Sequence, residues 1–239
     1  MLKGLSEMMS RRVVRGNKTE TVLVSRAVIK GILAAVLITA FTWIPAHASE
    51  NVHYELTLGA GALHFTKDPV LQSFYKNYVP VYQINGGVLF YHCVGIDGTL
   101  GFVYGKHTLY AQPGVGQEYT LMVYPARLDA VVQLRLTDDQ IIYPYVGAGG
   151  VATGFYQIAT GGGKIVSGYR YGYNWIGGIH ILLDPIDMRH VGNLRTEYGI
   201  DHVYIDIRIG QDMVNDFHSK TTGFDFSTQY IIGAFGFEF

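Results

Sequence analysis

The last ten residues of the chain, Tyr230-Ile231-Ile232-Gly233-Ala234-Phe235-Gly236-Phe237-Glu238-Phe239, restrict its possible folds more than any other stretch. Read in steps of two, one face is Phe239, Phe237, Phe235, Gly233 and Ile231. The other is Glu238, Gly236, Ala234, Ile232 and Tyr230, smaller and partly polar. Side chains alternate across a strand, so this is a strand whose two faces meet different media. An aromatic comb at a terminus is out of place in water, where end residues fray. Lipid on one side and a polar lumen on the other would produce it. The soluble alternative is a sandwich edge strand that ends in Phe.

Seven more alternating segments precede it: Tyr54 to Phe65, Val81 to Tyr91, Val94 to Tyr104, Tyr119 to Leu136, Ile141 to Phe155, Tyr169 to Leu183 and Asn193 to Arg208. Leu128, Ala130, Val132 and Leu134 face away from Arg127, Asp129, Gln133 and Arg135. In the seventh segment, Tyr198, Ile200, His202 and Tyr204 oppose Arg195, Glu197, Gly199 and Asp201. The fifth is ambiguous in its facing. Pro125 marks a bulge or kink, because it cannot donate to a ladder. Long connections (Lys67 to Pro80, Lys106 to Glu118, Gln157 to Gly168, Gly210 to Lys220) alternate with short ones near His92-Cys93, Thr137 to Gln140 and Asp184 to Asp187. An all-β, closed, antiparallel up-and-down transmembrane barrel of eight strands has that rhythm. Closure follows from the solvent, since an open edge in lipid leaves unsatisfied amides. A soluble lipocalin-like barrel is the rival, with its apolar face turned inward.

The other end predicts export. A basic region containing Arg26 and Lys30 precedes the apolar run Gly31 to Phe41 and the small-residue site Ala46-His47-Ala48. That order is a secretory signal peptide. The expected organisation is therefore a leader over 1–48 and a barrel over 49–239. Ser10-Arg11-Arg12 lies too far from the apolar run for a twin-arginine signal, and no Cys follows the cleavage site to carry a lipid anchor. The whole chain has 18 basic and 19 acidic side chains; the leader holds 7 and 2 of them, leaving 11 against 17. An acidic mature chain argues against nucleic acid, which needs a basic stripe. The single Cys93 excludes an intrachain disulfide.

With these features the chain resembles the small bacterial outer-membrane β-barrels, the OmpA/OmpW-like superfamily, over its whole mature length. The resemblance implies outer-membrane localisation, contact with outer-membrane lipid and lipopolysaccharide, and a monomer. It also implies that Phe235, Phe237 and Phe239 form the signal read by the barrel-assembly machinery.

An eight-stranded barrel has a narrow lumen filled by side chains. The polar faces collect Glu55, Asp97, Arg127, Asp129, Arg135, Arg195, Glu197 and Asp201. Buried charges must pair, so these predict a lumen salt-bridge network with Arg127 and Arg195 held among Glu55, Asp97, Glu197 and Asp201. The same groups in an open lumen would line a small channel for ions or solutes. An enzyme is the third class. The outer-membrane lipid A deacylases use a His and a Ser two residues on, and no His-x-Ser occurs in any of the eight alternating segments. Gly161-Gly162-Gly163-Lys164 lacks the flanking residues of a phosphate-binding loop. His53, His64 and His92 fall near strand ends, and no spacing along the sequence suggests a metal. The expectation is a structural or surface-interaction barrel, with no catalytic residue, cofactor or metal. The longer loops carry Tyr75, Tyr78, Tyr110, Tyr119 and Tyr156, most of them assigned to the outer aromatic girdle.

Overall fold

The alternation along the sequence becomes eight antiparallel strands: β1 (Val52–Phe65), β2 (Val79–Phe90), β3 (Val94–Gln112), β4 (Val115–Gln133), β5 (Ile142–Ala159), β6 (Val166–Leu182), β7 (His202–Met213) and β8 (Thr228–Glu238). A computed structural model describes residues 52–239 apart from 76–77, 113–114, 138–139, 160–165, 186–193 and 217–223, with the side chains of 73–74 and 108–117 also left out. The expected leader, 1–48, lies outside the described residues. Each strand pairs with its sequence neighbours, and β8 returns to β1, so the sheet is a closed barrel. At the seam Leu58 lies opposite Phe235 and Glu55 opposite Glu238. Tyr54 and Phe239 exchange two backbone hydrogen bonds of 2.9 and 3.0 Å, which carry the ladder to the last residue.

The polarity of the wall decides between the two barrel classes. Glu55, Thr57, Gln83, Asn85, Asp97 and Thr99 are buried, whereas Leu58 (50% exposed), Leu100, Leu128, Val146 and Ile209 point out. Water outside would oppose that arrangement at about 25 cal/mol for each Å² of apolar surface. It is the arrangement of a barrel in lipid, and the lipocalin-like rival fails on it.

Three boundaries differ from the sequence expectation. The stretch Lys106 to Glu118 is not a loop: β3 and β4 run on as a 19-residue pair joined at 113–114. Lys106 and Glu118 bridge the pair at 3.0 Å. The connection after β6 is long, 183–201, and includes a helical turn over 194–198. Leu194-Arg195-Thr196-Glu197-Tyr198 suits a helix, and Gly199, with φ +68°, terminates it in the left-handed conformation that glycine adopts most easily. The seventh strand therefore starts at His202, not Asn193. Pro125 does interrupt its ladder: pairing with β3 pauses between Leu100/Ala126 and Val103/Val123.

The barrel end opposite the one where β1 begins and β8 ends (the termini end) is closed by an apolar plug. Helix α1 (Pro69–Phe74) sits in the β1–β2 connection, and Asp68 caps it by accepting hydrogen bonds from the Val70 and Leu71 amides. The other Asp68 oxygen accepts from the Asp225 amide at 3.0 Å, tying this connection to the one before β8. Beneath, Leu63, Phe65, Leu71, Tyr75, Val103 and Phe226 belong to one buried cluster. The Tyr75 ring lies so close to Gly105 that a side chain there would strike it.

Candidate functional site

Below the plug, β7 and β8 turn charged side chains toward β4 and β5. Arg127 donates from Nε and Nη2 to the two oxygens of Asp212, at 2.9 and 2.7 Å. Its guanidinium lies 4.4 Å from the Tyr230 ring centre. Beside this pair, Asn174 donates to Asp129 at 2.8 Å.

The middle of the lumen is a second layer. Tyr145 donates its hydroxyl to Asp206 at 2.7 Å and accepts from Arg208 Nε at 2.8 Å. Arg208 Nη2 approaches Asp206 at 3.2 Å and Asp97 at 3.7 Å. Asn85 donates to Asp97 at 3.1 Å, and Gln133 donates to Glu55 at 3.2 Å. His180 fills the space between Tyr143, Tyr145 and Tyr204, stacked on Tyr204 at 4.4 Å.

At the termini end, Arg135 Nη1 donates to both oxygens of Glu238, at 3.1 and 2.9 Å. His53 and His92 stack 3.4 Å apart beside that carboxylate. His202 faces Arg135 Nη2 at 3.0 Å through Nε2 and pairs with Asp184 through Nδ1. Above the span, burial pushes the pKa of the Tyr75 hydroxyl up, so the phenol stays protonated beyond its usual range.

Of the eight residues expected in the lumen, Glu55, Asp97, Arg127, Asp129 and Arg135 are buried there. Arg195, Glu197 and Asp201 are not. Arg195 is 69% exposed and bridges Asp201 at 2.9 Å outside the lumen, while Glu197 sits exposed on the helical turn. The partner of Arg127 is Asp212, not a member of the expected acidic set. In β7 the inward face is Tyr204, Asp206, Arg208 and Asp212, with Ile205, Ile207 and Ile209 outside. Extending a helical turn as strand displaced the charged face by one whole segment. Asp206, Arg208, Asp212 and Glu238 were legible as alternate residues of β7 and β8 without it. Tyr75 belongs to the plug and not to an outer girdle, whereas Tyr78 is 70% exposed. Phe235 and Phe237 stand together on the outer wall at 5.2 Å, edge to face.

No protein-family model matches this chain, and no curated protein does. Solved structures do. The outer membrane protein OprG of Pseudomonas aeruginosa superposes with a TM-score of 0.51 at 9% identity, covering 79% of this chain and 96% of OprG. Ail, the attachment invasion locus protein of Yersinia pestis, solved with the heparin analogue sucrose octasulfate, gives 0.48 at 10% identity, over 80% and 100%. Neisserial surface protein A gives 0.44 at 11% identity, over 80% and 98%. At such identities the likeness is one of fold, and the OprG superposition carries it. By fold, with its apolar wall outward, the chain is an integral outer-membrane β-barrel.

Proposed function

We propose that this barrel is a closed structural element of the bacterial outer membrane whose outward-facing loops serve surface interaction, and that it is neither a channel nor an enzyme. The mature protein starts near Ser49 on this reading, and the termini end faces the periplasm. The supporting observation is the two-part filling of the lumen: hydrogen-bonded polar and charged side chains through the middle and an apolar plug above them. A void of about 10 Å³ lies at their boundary, lined by Phe65, Val103, Pro125 and Asp212 among others. It is barely large enough for one water. The exposed Tyr78 and Tyr169 and the projecting β3–β4 hairpin form the surface available to a partner at that end.

The test is conductance of the purified, refolded protein in planar bilayers. Little or no steady current is expected. Large, stable current that changes selectivity with lumen charge would replace this reading with a channel. An altered lipid A acyl pattern on overproduction would replace it with an enzyme.

A further inference from the structure

The termini end brings together three donors that no sequence spacing links. His53 enters from β1, His92 from the turn between β2 and β3, and Glu238 from the end of β8. One ligand atom of each lies within 4.8 Å of the others. Glu238 Oε1 is 3.4 Å from His53 Nδ1 and 3.2 Å from His92 Nδ1. Two ligands held about 2.0–2.1 Å from one ion at tetrahedral angles lie about 3.4 Å apart. The two spacings to Glu238 already fit, and the stacked imidazoles need only turn apart for both Nδ1 lone pairs to meet one ion. We propose that His53, His92 and Glu238 bind a divalent first-row transition metal of the zinc class at the termini-end mouth of the barrel.

Three observations support the site. His92 is held over the mouth by a tight turn in which Tyr91 and His92 both adopt left-handed backbone, φ 54° and 53°. A turn with two left-handed central residues favours Asn-Gly, so in this three-residue connection, 91–93, two bulky residues persist against the local preference. Arg135 Nη1 hydrogen-bonds both Glu238 oxygens, as outer groups commonly do for a ligating carboxylate. The described lumen also buries Glu55, Asp97, Asp129, Asp206, Asp212 and Glu238 against only Arg127, Arg135 and Arg208. That surplus of carboxylates favours a cation.

The donor set selects the ion. Two imidazoles and one carboxylate suit zinc, copper or nickel, whereas calcium and magnesium require oxygen-rich shells. Water would complete a four-coordinate site. Arg135 Nη1 also stands 3.2 Å from His92 Nδ1, so it competes for one lone pair and shifts when metal binds. Cys93 is adjacent in sequence but turns its sulfur toward the Arg135 carbonyl at 4.0 Å. Both His53 nitrogens and the Glu238 carboxylate are buried, and His92, with its side chain 22% exposed, is the ligand on the solvent side, so an ion enters past its ring.

The experiment uses the full mature barrel, refolded without a histidine tag, and titrates zinc chloride by calorimetry. One saturable site is expected, and cobalt in its place should give the strong visible absorption of tetrahedral coordination. His53→Gln and His92→Asn should each weaken affinity at least about ten-fold, the low end of what losing even an outer partner costs. His64→Gln should not, because His64 lies at the far end of β1 beside Tyr78. Should the ligand variants fail to fold, wild-type protein is treated with diethyl pyrocarbonate, with and without zinc, and mapped by mass spectrometry. Zinc protection of His53 and His92, and not His64, is the expected result. Absence of saturable binding, or binding indifferent to both ligand variants, overturns the proposal; so does absence of protection.

Discussion

Arg127 on β4 and Asp212 on β7 are joined by two parallel hydrogen bonds, although their strands are not neighbours in the sheet. The pair is a strut across the lumen, and Thr228 adds a hydroxyl to the Asp212 carboxylate at 3.2 Å. Arg127→Ala leaves that carboxylate buried without its cation, which should destabilise the barrel by about 3–5 kcal/mol. Urea unfolding of protein refolded in lipid measures it. Arg127→Ala combined with Asp212→Ala should recover part of the loss, since no charge is then orphaned. A double variant as unstable as the single would remove the strut from the account.

The contrasting position is Arg195. Its partner Asp201 is also a carboxylate, at the same 2.9 Å, yet the pair stands in solvent outside the lumen. Exposed pairs contribute about 0.2–1 kcal/mol, so Arg195→Ala should shift the unfolding midpoint slightly and the Arg127 variant should shift it far more. Similar shifts for the two would mean that Arg195 lies inside after all.

How legible these positions were depended on strand phase. In β1 to β4 and in β8, alternation alone separated the lumen face from the lipid face, because Leu58, Leu100, Leu128 and Phe235 each sit two residues from another outward apolar or small side chain. The connection before β7 defeated it. Leu194 to Tyr198 also alternates crudely, and one helical turn ended by Gly199 looks like strand when only every second residue is counted. The partners themselves were beyond reach: Arg127 and Asp212 are 85 positions apart, and which acid meets which arginine depends on the barrel's stagger. The same holds for His53, His92 and Glu238, whose juxtaposition exists only once β8 closes on β1.

Tyr145 is accommodated by the absence of a side chain opposite. Gly178 pairs with it on β6, and a Cβ there would lie 2.6 Å from both the Ile207 carbonyl oxygen and the Tyr145 hydroxyl oxygen, of which only the ring can move aside. Gly178→Val should displace the ring from Asp206 and Arg208 and destabilise by about 1–3 kcal/mol, the range for overpacking. Gly150, where a Cβ meets nothing within 4 Å, is the control. Gly150→Val should stay within about 0.5 kcal/mol. Equal effects at the two glycines would argue that strand propensity, not the Tyr145 ring, decides.

Assembly has its own test. Phe239 takes part in the backbone exchange with Tyr54 that completes the seam, and Phe237 stands on the outer wall against Phe235. Deleting Phe239, or replacing Phe237 and Phe239 by Asp, should reduce the heat-modifiable folded band recovered from membranes. Refolding of the same variants in detergent separates two causes. Recovery there with loss in cells assigns the effect to the assembly machinery, and loss in both assigns it to the seam.

The last expectation concerns the solvent around the barrel. Leu58 lies near the middle of β1, half exposed on the outer face, and Phe90 ends β2 at the termini side with 45% exposure. In water the two positions would tolerate arginine about equally, since both already face out. In a bilayer they differ: an arginine on the lipid face costs about 2–4 kcal/mol at the midplane and about 0–1 near the interface. Leu58→Arg should therefore destabilise the refolded barrel in liposomes several-fold more, in free energy, than Phe90→Arg. The gradient should flatten in small detergent micelles, where the charged end reaches water from either site. Equal costs in liposomes would mean that Leu58 does not face the hydrocarbon core, and the outward apolar wall would then need another partner.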